Sequence, residues 1–253
     1  MSKKFAILII LSVLFALSSV SMSDAATFDQ VLQRWSKTRI YSGEDKITTL
    51  GIKATYYSAE FVEAYVQSEA QKNMWTQQET DDYKYNFLGA LRLNEMIPIM
   101  IEFNNNAETM YLGPFDIMVS LRIGNKNYKP VDYDKRFNFK FQGKKDGLVY
   151  FSRYDEATGK DLLKGAKTVI LELKGAISPG MTNGSLTSFV WDISNDDPSK
   201  LYQGKAAARF ETDRLLKRLE KLRKDKAEHE KQLQGINDEM STVQKRLDEL
   251  SKQ

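Results

Sequence analysis

From Tyr83 to Ile193 apolar residues return at every second position, and that period limits what the chain can fold into. Ile97, Ile99, Ile101 and Phe103 alternate with Pro98, Met100 and Glu102. Ile117, Val119, Leu121 and Ile123 alternate with Met118, Ser120 and Arg122. Val169, Leu171 and Leu173, then Phe189, Trp191 and Ile193, repeat the pattern. Successive side chains of a strand leave on opposite faces, so this alternation describes antiparallel sheets with one buried and one solvated face. Turn-forming clusters punctuate the runs: Gly124-Asn125-Lys126-Asn127, Lys144-Lys145-Asp146-Gly147, Ala157-Thr158-Gly159-Lys160 and Asn183-Gly184. Seven or eight short strands are expected, arranged as a sandwich or barrel. Pro98 offers no N–H to a ladder, so its strand is expected at an edge, or to begin there.

The residues before Tyr83 follow other periods. Phe28, Val31, Leu32 and Trp35 recur at helical spacing. Lys46 to Tyr57 has the composition of a strand. Ser58 then stands where a helix from Ala59 to about Trp75 needs its N-cap, with Glu60 in the first turn and Phe61, Val62, Tyr65 and Val66 on its apolar side. Thr76 to Asp82 is polar and is expected as a loop.

Three segments of the period-two region resemble strands of the immunoglobulin-like sandwich domains common in bacterial envelope proteins. They are Ile97-Pro98-Ile99-Met100-Ile101-Glu102-Phe103-Asn104-Asn105, Gly147-Leu148-Val149-Tyr150-Phe151 and Val169-Ile170-Leu171-Glu172-Leu173; the resemblance covers about a third of the chain. It implies a mainly β fold: an antiparallel immunoglobulin-like β-sandwich with one or two N-terminal helices and a long C-terminal α-helix. The Cys–Trp–Cys signature of antibody-type domains is absent, and no functional residue carries over, because such domains host many functions.

Both chain ends are distinctive. Lys3 and Lys4 precede an almost unbroken apolar run from Phe5 to Val20, and Ser23-Asp24-Ala25 puts small residues before a cut at Ala26. This is the layout of a secretory signal peptide. Its run of 16 residues is short of the roughly 20 that span a bilayer as a helix, so cleavage, with no stable membrane anchor left, is the expectation. The expected organisation is then residues 1–25 as signal peptide, 26–82 as N-terminal helices and strand, 83–194 as β-sandwich, 195–204 as linker and 205–253 as a coiled-coil helix. The chain has no cysteine, so an exported body must rely on its core rather than on disulfides.

The last segment keeps a heptad. With Leu219 at position a, the a residues are Thr212, Leu219, Lys226, Leu233, Met240 and Leu247, and the d residues are Leu215, Leu222, His229, Ile236, Val243 and Leu250; nine of the twelve are apolar. An unbroken register of this length specifies a coiled coil. Leu215, Leu219, Leu222, Leu233, Ile236, Met240, Val243, Leu247 and Leu250 are therefore the candidate partner-binding residues. Lys226 and His229, which interrupt the stripe together, are candidates for fixing register or specificity. In a parallel in-register pair Arg218 would face Arg223 and Asp225 would face Glu230, both like-charged, which weighs against that orientation. The expected partner is a second copy or another helical protein.

Chemistry is harder to place. The one histidine, His229, lies in the tail, so no His-based triad forms in the body, and without cysteine there is no thiol nucleophile or Cys-ligated zinc. No phosphate-cradling glycine loop occurs. The acidic pairs Asp132/Asp134 and Asp155/Glu156 lack EF-hand spacing and are expected as solvated loop residues. Residues 26–204 carry 22 Lys and Arg against 23 Asp and Glu, and residues 205–253 carry 13 against 10; such a balance lacks the dense basic face that nucleic acid demands. No catalytic, cofactor or metal residue is assigned. The expected function is a non-catalytic exported envelope protein, with a carbohydrate- or peptide-binding module as the alternative.

Overall fold

A computed structural model describes residues 27–202 and 204–251. The segment expected as signal peptide lies outside the described residues. Two antiparallel sheets share one buried core. The five-stranded sheet has the order β1-β2-β3-β7-β6, with β1 Ser36–Ser42, β2 Thr49–Tyr56, β3 Met96–Met110, β6 Asp132–Tyr133 and β7 Phe141–Ser152. The four-stranded sheet has the order β5-β4-β8-β9, with β4 Val119–Ile123, β5 Lys126–Tyr128, β8 Thr168–Leu173 and β9 Thr187–Asp192. The helices are α1 Phe28–Trp35, α2 Ala59–Asn73, α3 Gln77–Leu91, the single turn α4 Pro179–Thr182, and α5 Gly204–Leu250.

The alternating residues occupy the core as their period requires, except Ile117, which ends the 3-10 turn Phe115–Ile117 ahead of β4 and is exposed. Ile52, Ala54, Ile99, Ile101, Val149 and Phe151 of one sheet are buried in the same cluster as Leu121, Val169, Leu171, Phe189 and Trp191 of the other. Two polar links cross between the sheets' neighbourhoods: the Trp191 indole N–H donates to the Trp35 carbonyl at 2.7 Å, and the Tyr41 hydroxyl lies 2.6 Å from Thr187 Oγ1. A buried indole keeps a hydrogen-bond partner this way, so its apolar area is gained without an orphaned donor.

Several expectations are corrected. The strand expected over 46–57 is the second arm of a hairpin. β1 precedes it, and the turn between them is held by Asp45, which accepts from the N–H groups of Ile47 at 3.0 Å and Thr48 at 2.8 Å. The loop expected over Thr76 to Asp82, and the strand expected from Tyr83, are both helix α3. Its start is a capping box: the Thr76 N–H donates to Glu79 Oε2 at 2.8 Å and the Glu79 N–H to Thr76 Oγ1 at 3.3 Å. Tyr83 and Phe87 sit one turn apart, so their rings meet those of Trp75 at 4.6 Å and Tyr65 at 5.1 Å.

The turn expected at Lys144 to Gly147 is instead the interior of β7, where Gly147 pairs with Ile101. A Cβ at Gly147 would stand 2.6 Å from the Asp134 Cβ and 3.0 Å from the Phe137 ring, so glycine is there for close approach and not for a reversal. Pro98 is not on an edge strand, since β3 lies between β2 and β7. The β2 ladder ends at the pair Tyr56 with Ile99, and the Pro98 carbonyl faces that side, accepting from the Tyr57 N–H. Residues of an antiparallel strand point N–H and C=O the same way, so the donor that proline lacks faces a position where the ladder has already stopped.

Candidate partner interface

The chain leaves the four-stranded sheet through a segment tied to the body. Asp196 is largely buried and accepts from the Ala59 N–H at 2.8 Å and the Tyr56 hydroxyl at 3.2 Å. Burial raises its carboxyl above the ordinary value of 3.8, against these hydrogen bonds, which pull it down. Burial, and then the charge of Asp196, push the Tyr56 phenol well above its usual range. Asp197 caps the 3-10 turn Pro198–Leu201, and Leu201 is buried in the core. Residues 196–202 thus pack on the body, where a linker was expected over 195–204.

From Gly204 the backbone continues as one helix of 47 residues to Leu250. No proline interrupts it, and ion pairs at helical spacing line its surface: Lys226 with Glu230 at 3.5 Å and Arg246 with Glu249 at 2.8 Å. Among the described residues, three side chains meet the body. Lys217 Nζ lies 2.8 Å from a Glu95 carboxylate oxygen, the Arg214 guanidinium stacks 4.4 Å from the centre of the Tyr154 ring, and Arg218 approaches Gly159. Arg214 and Lys217 are heptad positions c and f, away from the a/d seam.

That seam is open along its length. Leu215, Leu219, Leu222, Leu233, Ile236, Met240, Val243, Leu247 and Leu250 are all exposed, from 44% at Leu219 to 64% at Met240. Leu216, at position e beside Leu215, is 58% exposed and widens the stripe, an extension that the a/d count alone passes over. Lys226 and His229 are exposed on the same face. The structure places all nine apolar candidates on one helix face and brings none of them against the body. Full burial of one such side chain is worth about 1.5–3 kcal/mol, so a covered seam is much lower in free energy than a wet one.

Elsewhere, an open cleft of about 1280 Å³ runs between α1, α2 and the 3-10 turn. Four of its charged groups are paired: Arg34 with Glu60, which also accepts the Trp35 indole N–H at 2.7 Å, and Lys84 with Glu63 at 2.5 Å. Three of the four acidic residues expected in loops are likewise engaged, Asp132 from within β6. Asp132 pairs with Arg92 at 3.3 Å, Asp134 with Arg136 at 2.7 Å, and Asp155 accepts from the Thr158 N–H at 2.7 Å. Among the described residues there is no group of three or more potential metal ligands. The exposed aromatics of the described residues are Tyr111 and Phe139. No described helix is long and apolar enough to cross a membrane.

No family model matches the sequence, and no curated protein matches it. Among solved structures, the chain is similar to a protein of unknown function from Burkholderia pseudomallei K96243, with 10% identity, a TM-score of 0.35, and coverage of 72% of this chain and 84% of that one.

Proposed function

We propose that this chain is a non-catalytic exported envelope protein, in which an immunoglobulin-like β-sandwich is the interaction module and α5 is the element that assembles it. One observation carries the reading: nine large apolar side chains in a single heptad register stand exposed on a helix whose contacts with its own body lie off that seam. Export is supported by the n-region, apolar run and small-residue cut site of residues 1–25. Linking copies through the helix raises avidity for a repeated target without new contacts.

The test compares full-length protein with a chain ending at residue 204, by light scattering and by capture from an envelope extract. Loss of mass, or of a helical partner, on truncation supports the reading. Unchanged mass together with unchanged capture overturns it.

A further inference from the structure

We infer that the occupant of the α5 seam is a second copy of α5 running antiparallel, in the register that places Leu219 opposite Ile236 of the other copy. The inference rests on the proposed assembly role and adds the partner, the direction and the alignment.

Three independent features select this register. The first is overlap. In an antiparallel coiled coil each a residue shares a layer with a d residue of the partner, so a pairing is defined by one constant sum of residue numbers. Leu219 with Ile236 sums to 455, which puts the two-fold axis between residues 227 and 228. That is the middle of the helix Gly204–Leu250, so its whole length is covered.

The second is the polar layer. In this register Leu222 meets Leu233, and Lys226 meets His229. The two residues that break the stripe then face each other on both sides of the axis, and neither is set against a leucine. Polar core groups that meet each other fix alignment, since any slip would set them against apolar side chains.

The third is charge. Antiparallel helices set g beside g and e beside e. The nearest flanking partners differ by two residues in height, about 3 Å at 1.5 Å per residue. Arg218 then faces Glu239, and Arg223 faces Glu230, and symmetry repeats each contact. A slip of one heptad in one direction sets Asp225 against Asp225 and Arg223 against Arg223. A slip in the other sets Arg218 against Arg246 and Glu230 against Glu230. The parallel alignment sets Arg218 against Arg223. Among these four alignments opposite charges meet only in the central antiparallel register, and slips of two heptads, which bring Arg218 to Asp225 or Asp225 to Arg246, give up two heptads of overlap; interhelical e and g charges are what choose orientation. The body leaves the seam itself free: Arg214 and Lys217 hold it on the c and f side, and Arg218, at g, borders Gly159, while Leu215, Leu219 and Leu222 stay exposed.

The absence of native cysteine makes the test direct. Leu219→Cys and Ile236→Cys proteins are oxidised separately and as a mixture. The expected result is a disulfide-linked dimer from the mixture alone, because like positions in this register are 17 residues apart in height, about 25 Å, whereas a disulfide needs Cα atoms within about 7 Å. In parallel, Glu239→Arg should raise the dimer dissociation constant at least about fivefold, and Arg218→Glu added to it should restore association. Cross-linking of either single variant by itself overturns the antiparallel register but leaves self-assembly standing. A parent protein that sediments as a monomer at the concentrations used overturns this inference; if that monomer still holds a helical partner through α5, the proposed function survives without it.

Discussion

Asp196 accepts the Ala59 N–H at 2.8 Å, so the exit from the last strand is fastened to the first turn of α2 by a mostly buried carboxylate. Removing the side chain should strand both that N–H and the Tyr56 hydroxyl. Asp196→Ala is expected to cost about 1–3 kcal/mol in urea unfolding, the penalty of unsatisfied buried donors. A loss near zero would mean that water reaches the site.

The same carboxyl sets a pH dependence. Its folded pKa is raised by burial above 3.8, so the folded chain still holds a proton there after the unfolded chain has released it. The contribution of Asp196 is complete below the unfolded value and is lost as pH rises through the folded one. In Asp196→Asn, unfolding free energy should fall less steeply from about pH 4 toward neutrality than in the parent. Identical slopes in the two proteins would contradict the assignment.

Gly147 offers a packing test. Any Cβ there collides with the Asp134 Cβ and presses on the fully buried Phe137 ring. Gly147→Ala is expected to destabilise by about 1–3 kcal/mol through overpacking, read as a lowered melting temperature. If it instead stabilises, the β6–β7 edge yields more easily than its contacts imply.

Thr76 and Glu79 form the start of α3, and Thr76→Ala should cost about 1 kcal/mol. Glu79→Ala in the Thr76→Ala background should cost less than Glu79→Ala alone, because the two side chains act as one cap. Strict additivity in a double-mutant cycle of thermal melts would show that they do not.

For the tail, Leu222→Ser with Leu233→Ser should leave the melting of the body unchanged, since neither residue touches it, while reducing assembled mass in sedimentation. A lowered melting temperature of the body would reveal a contact between the seam and its own sheets.

Legibility in the sequence followed how local the cause was. α5 was readable almost to the residue because its heptad is self-contained. The apolar alternation at 97–103, 169–173 and 189–193 likewise marked β3, β8 and β9, although β3 runs on to Met110. α3 was not, because Tyr83, Tyr85 and Phe87 are strand-favouring types, and what makes them helical is the cap at Thr76 and the rings of Tyr65 and Trp75. β1, with the sequence Ser-Lys-Thr-Arg-Ile-Tyr-Ser, has no apolar alternation of its own; its order comes from pairing with β2. Gly147 looked like a turn because a glycine needed for close packing is spelled the same way as one needed for positive φ. The candidate interface was legible in its residues, while its freedom from the body depended on where Arg214 and Lys217 found Tyr154 and Glu95.

The sheet margins bear on how copies can meet. β1 borders the larger sheet and carries Lys37 and Arg39, while the opposite margin, β6, is two residues long and β5, on the smaller sheet, only three. A brief or cationic border is a poor template for another chain's backbone. Two molecules brought close by their rods would find these three borders uninviting, while the fourth margin, the six-residue β9, is tied to β1 where Tyr41 meets Thr187.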